Sequence, residues 1–125
     1  MFNLLLVAAG GALGAALRHV VSIAALRCLG PAFPWGTILV NVVGSLAMGI
    51  LAELLARRFG GSSEMRLFLA TGVLGGFTTF SAFSLEAVAL WERGATAAAA
   101  LYVAGSVIAS LAALVAGMWL ARALA

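Results

Sequence analysis

Apolar residues fall in four long runs, roughly Phe2–Leu26, Gly36–Leu55, Arg66–Leu90 and Thr96–Leu120. A helix needs about 20 apolar residues to cross a bilayer. The pattern therefore predicts an all-α membrane protein: four transmembrane helices forming a single domain over residues 1–125. Punctuation separates the runs. Gly30-Pro31-Ala32-Phe33-Pro34 lies between the first two and keeps both prolines out of the helices. Arg57-Arg58-Phe59-Gly60-Gly61-Ser62-Ser63-Glu64 and Trp91-Glu92-Arg93-Gly94 form the other breaks. The N-terminus lacks the positively charged stretch of a secretory signal, so the first run is expected to remain as a membrane helix.

Polar positions inside the runs are few and ordered. The second run carries Thr37, Asn41, Gly44, Ser45 and Gly49 on one helical face. Asn41 is the costly member, because an amide at membrane depth must find a partner, in a neighbouring helix or in a wet path. The fourth run carries Tyr102, Ser106 and Ser110 four residues apart, a stacked row of hydroxyls. A hydroxyl can donate to an anion without burying a positive charge. Small residues at four-residue spacing, Gly10/Gly14, Gly11/Ala15 and Ser45/Gly49, predict close helix packing.

The third run is interrupted. Gly75-Gly76-Phe77-Thr78-Thr79-Phe80-Ser81-Ala82-Phe83-Ser84 joins two adjacent glycines to four hydroxyl side chains at membrane depth. Irregular backbone is tolerated there only where protein buries it or a polar cavity meets it. A break at Gly75-Gly76 near the midplane would free carbonyls able to bind a hard cation such as Na⁺. Phe77, Phe80 and Phe83 recur every three residues around it. They serve either as packing or as electropositive ring edges facing an anion. Glu86 follows about three turns on, in an expected wet vestibule. Arg18, the deepest cation, either snorkels to headgroups or faces a vestibule.

Composition agrees with a bilayer as solvent: of 125 residues, 65% are hydrophobic and 9% charged, against about 25% charged in soluble domains. All seven basic residues are arginine, and they are scattered, which argues against nucleic acid as a partner. Glu53 and Glu92, near run ends, are expected to be solvated. Trp35, Trp91 and Trp119 also fall at run ends, as an aromatic belt requires. With the N-terminus inside, Arg57, Arg58, Arg66 and Arg122 share the inner side, while Arg27 and Arg93 lie outside. This weak bias allows insertion in both orientations. The single Cys28 forms no intrachain disulfide. The sequence offers neither a transition-metal ligand cluster nor a nucleophile–base set, so an enzyme is not expected.

These motifs together resemble the Fluc (CrcB-type) fluoride-channel family across the whole chain. Gly10-Gly11-Ala12-Leu13-Gly14-Ala15-Ala16-Leu17-Arg18 is similar to that family's Gly-Gly-x-x-Gly-Ala-x-x-Arg. Gly36-Thr37-Ile38-Leu39-Val40-Asn41-Val42-Val43-Gly44 is similar to its Gly-Thr-x-x-x-Asn-x-x-Gly. Gly72 to Phe83 resembles its Gly-x-x-Gly-Gly-x-Thr-Thr-Phe-Ser-Thr-Phe, and Tyr102, Ser106 and Ser110 share its spacing.

The resemblance implies an antiparallel, dual-topology homodimer in the bacterial cytoplasmic (inner) membrane, passing fluoride outward passively. It implies a structural Na⁺ at the dimer centre on the carbonyls of Gly75 and Thr78, and two pores lined by Phe80 and Phe83. Asn41 would donate to the ion, with Tyr102, Ser106 and Ser110 extending the path. Thr79, Ser81 and Glu86 would lie towards a vestibule, with Thr37 and Arg18 also on the fluoride pathway. His19 and Ala82 depart from the family's usual Tyr and Thr; the second change removes a hydroxyl beside Ser81. The alternative is a small dual-topology, proton-coupled multidrug exporter. That chemistry needs a carboxylate deep in the first helix, where this chain has only Arg18.

Overall fold

A computed structural model describes residues 1–58, 60 and 62–124. Phe59 and Gly61, part of the loop expected between the second and third spans, lie outside the described residues. Helix α1 covers Phe2–Leu29 and α2 covers Trp35–Arg57. The third span is composite. It starts as α3, Ser63–Met65, continues as a π-helical stretch, Arg66–Leu74, and closes its first half as α4, Gly75–Phe77. After an interruption it resumes as α5, Ser81–Glu92, and the last span is α6, Thr96–Leu124. Among the described residues, four helical segments are thus long and apolar enough to cross a membrane: Phe2–Leu29, Trp35–Arg57, Ser63–Glu92 and Thr96–Leu124. The 28 residues of α1 extend about 42 Å, beyond the hydrocarbon core of about 30 Å.

The ends follow local chemistry. Gly30 stops α1 at a φ of 81°, a left-handed value, while its N–H still caps Leu26 O. Gly94, at φ 85°, turns the chain from α5 into α6. Ser62 accepts from Met65 N and starts the third span. Arg93 donates Nη2 to Ala32 O at 2.6 Å, tying the loop before α2 to the turn before α6.

Two close helix pairs make the bundle. Side α1 packs on the first half of the third span through the expected glycines. A Cβ on Gly14 would strike the Val73 carbonyl, and one on Gly10 would strike that of Phe68. Gly76 meets Gly11 O in return, where an added Cβ would sit 2.7 Å away. On the other side α2 packs on α6, with Gly49 against the Leu114 carbonyl and Gly117 against that of Leu46. Such contacts let backbones approach where lipid offers no hydrophobic drive for association. A small buried cluster of Phe83, Leu90, Ala99 and Tyr102 joins α5 to α6. Most remaining large apolar side chains, with Trp35, Trp91 and Trp119, point outwards.

Two expectations are corrected. The break does not fall at Gly75-Gly76: Gly75 is helical at φ −62°, ψ −37°, and the chain becomes extended only at Thr78, with ψ 159°. Gly76 instead admits α1, and side-chain bonds to Thr79 interrupt the helix. Glu53 is not solvated. It is 8% exposed, accepts from Arg122 Nε of α6, and lies 3.6 Å from Arg57. Its four-residue spacing from Arg57 was a legible signal; the reach to Arg122 was not.

Candidate functional site

Asn41 organises the break. Its Oδ1 accepts from Thr79 N at 2.8 Å, and its Nδ2 donates to Thr79 O at 3.0 Å. A side-chain amide thus pairs with the backbone as a neighbouring strand would. Thr79 Oγ1 accepts from Ala82 N at 3.1 Å and caps α5; Ser81 Oγ lies 3.4 Å from the same hydroxyl. Thr78 donates Oγ1 to Leu74 O at 2.9 Å, and its methyl fills the space left by Gly44. Arg18 turns inward and donates Nε to Gly76 O at 3.0 Å.

These bonds decide which carbonyls are left over. In a continuous helix Gly75 O would take Thr79 N, and Thr78 O would take Ala82 N. Both donors are engaged elsewhere, by Asn41 and by Thr79 Oγ1. Gly75 and Thr78, the two positions expected to bind Na⁺ through carbonyls, are thus among those that lose their ladder donors at the break, and side chains have taken both of those donors. Carbonyl oxygens released from a ladder are suitable ligands for a hard cation, so the residues present fit that ion.

A cleft of about 310 Å³ opens beside the break, between α2 and α6. Asn41, Ser45, Thr78, Thr79, Phe80, Phe83, Ser106 and Ser110 line it, with Met48, Val107 and Leu114 on its apolar side. Phe80 is 78% exposed at its mouth and Phe83 is buried at its wall, with ring centroids 5.5 Å apart. Ser106 Oγ is buried and has no hydrogen-bond partner among the described residues.

The remaining candidates gather at one end. Thr37 Oγ1 donates to Glu86 Oε1 at 2.6 Å, and Tyr102 OH donates to the same oxygen at 3.0 Å. Thr37 and Glu86 border a second cavity of about 330 Å³, with Arg93 at its rim. Phe83 links the two regions, its ring 5.2 Å from that of Tyr102. The expected hydroxyl row is thereby divided: Ser106 and Ser110 face the cleft, while the Tyr102 hydroxyl serves Glu86. This three-residue cluster escaped sequence reading, because it depends on how α2, α5 and α6 are rotated against one another.

The chain matches the family described as "CrcB-like protein, Camphor Resistance (CrcB)" over residues 5–118. It belongs to the CrcB-like family. Curated relatives cover essentially the full length. A protein of Mesorhizobium japonicum is 60% identical over 99% of both chains. One from a Chelativorans species is also 60% identical over 99% of both, and one from Rhizobium etli is 58% identical over 100% of both. Each of these relatives is named a fluoride-specific ion channel, FluC. CrcB-like membership sets aside the multidrug-exporter alternative.

Proposed function

We propose that this chain is a fluoride-selective channel that lets F⁻ leave the bacterial cytoplasm passively across the inner membrane. The observation that carries the reading is the cleft at the break. Two phenyl rings, an amide and an unpartnered buried serine hydroxyl converge there at membrane depth, in a chain 60% identical to named fluoride channels. Fluoride holds its water tightly, so a pore must replace that water with several good donors. Asn41 Nδ2 has two hydrogens and uses one on Thr79 O, which leaves one for the ion. Ser106 and Ser110 supply hydroxyls, and the edges of Phe80 and Phe83 supply positive quadrupole. None of these is a fixed cation, so the ion is held weakly enough to move on.

A lone protomer leaves Phe80 and Ser81 exposed beside broken backbone. Lipid does not accept such a surface. A second, antiparallel copy would cover it and would bring a second pair of Gly75 and Thr78 carbonyls to a shared structural Na⁺. That cation would supply fixed positive charge near the anion path. Thr37, Tyr102 and Glu86, with Arg18 and Thr79 nearer the break, would carry the ion between cleft and vestibule. All-helical spans suit the inner membrane, whereas outer-membrane channels are β-barrels.

Complementation tests the reading in cells. HF enters cells from an acidic medium and dissociates in the near-neutral cytoplasm, so a strain without fluoride export stops growing on fluoride. This protein should restore growth, and the Phe80→Ala variant should not. No rescue by well-expressed wild-type protein would overturn the assignment.

A further inference from the structure

The two carbonyls assigned to the cation owe their freedom to two side chains. Asn41 Oδ1 holds Thr79 N at 2.8 Å, and Thr79 Oγ1 holds Ala82 N at 3.1 Å. These are the amides that a continuous helix would close onto Gly75 O and Thr78 O. An amide at membrane depth does not go unpaired, since leaving it orphaned costs more than either bond. These two amides therefore have two competing arrangements. In one the helix runs on and buries both carbonyls in its ladder. In the other the side chains take the amides and the two carbonyls are left without their ladder donors.

We infer that Asn41 and Thr79 are positioning residues of the cation site, which intercept the backbone donors that would otherwise consume its carbonyl ligands. The inference rests on the proposed binding of Na⁺ at Gly75 and Thr78. Asn41 then has a double duty. One Nδ2 hydrogen and Oδ1 lock Thr79, while the amide itself borders the anion cleft. Cation site and anion path share this side chain. Any change that releases Thr79 N lets it return to Gly75 O and weakens the cation without touching a ligand atom.

The test measures ²²Na⁺ binding to the purified protein and to Asn41→Leu, Thr79→Val and Thr79→Ser. Val keeps the branched shape of Thr79 without its hydroxyl, and Ser keeps the hydroxyl. Asn41→Leu and Thr79→Val should each weaken Na⁺ by roughly tenfold or more, the worth of one diverted hydrogen bond to the site. Thr79→Ser should stay within about threefold of wild type, because its Oγ still caps Ala82 N. If Asn41→Leu does not fold, the Val and Ser pair at Thr79 decides alone. Wild-type affinity in folded Thr79→Val would overturn the inference while leaving the cation reading intact. Absence of Na⁺ from the wild-type protein would sink the cation reading, and the inference with it.

Discussion

Replacing Ser106 by alanine should make the protein more stable and a worse channel. Ser106 is 4% exposed, and its Oγ has no partner among the described residues. A buried hydroxyl left unpaired costs about 1–3 kcal/mol. Removing one oxygen opens little space, and both Ser and Ala fit a helix interior. The variant should therefore gain on the order of 1 kcal/mol, read as a higher unfolding midpoint in detergent. The same hydroxyl is a donor held ready for a passing anion. A hydrogen bond to a charged group contributes about 1.5–3 kcal/mol. If that bond acts where the ion is least hydrated, its loss lowers flux by roughly 10- to 100-fold. Fluoride release from liposomes and thermal unfolding of the same preparation measure the two effects together. A Ser106→Ala protein that is less stable and conducts normally would refute the reasoning, because it would make Ser106 a packing residue.

Other substitutions separate neighbouring roles. Phe80→Ala should abolish fluoride flux with the fold retained, since the ring is 78% exposed and carries little packing within the protomer; the liposome assay reads this directly. Tyr102→Phe should lower flux while shifting the unfolding midpoint by only a few degrees, because the ring contacts to Phe33 and Phe83 survive and only the bond to Glu86 is lost. Gly14→Ala should cost about 1–3 kcal/mol in unfolding experiments, since its new methyl group meets the Val73 carbonyl and backbone must shift. Thr78→Ala should keep Na⁺ bound, because the proposed ligand is a main-chain oxygen that the substitution leaves in place.

The four spans were legible because bilayer thickness sets their length and apolar character is continuous along each. Observed ends lie within a few residues of those expected; the fourth span runs to Leu124 rather than Leu120. The glycine pairs of α1 were legible for the same kind of reason, since close approach requires small residues at fixed spacing. The existence of a break could be read from the glycines and hydroxyls, but its position could not. Glycine lowers helix stability wherever it stands, whereas this break is made by Asn41, 38 residues away in sequence. Interhelical polar contacts were the least legible. Arg18 to Gly76, Thr37 and Tyr102 to Glu86, and Arg122 to Glu53 all join residues from different helices. Sequence pattern fixes which face of a helix is polar, and helix rotation then decides which polar faces meet. The hydroxyl row of α6 shows the consequence: one spacing serves two environments.

Passive ion release from liposomes that contain only this protein tests the channel assignment most directly. Vesicles loaded with F⁻ and Cl⁻, with no proton gradient, would be permeabilised to K⁺ so that charge cannot build up. A fluoride-selective channel releases F⁻ rapidly and retains Cl⁻ in this assay. Retention of F⁻ by folded protein, or equal release of both ions, would contradict the assignment.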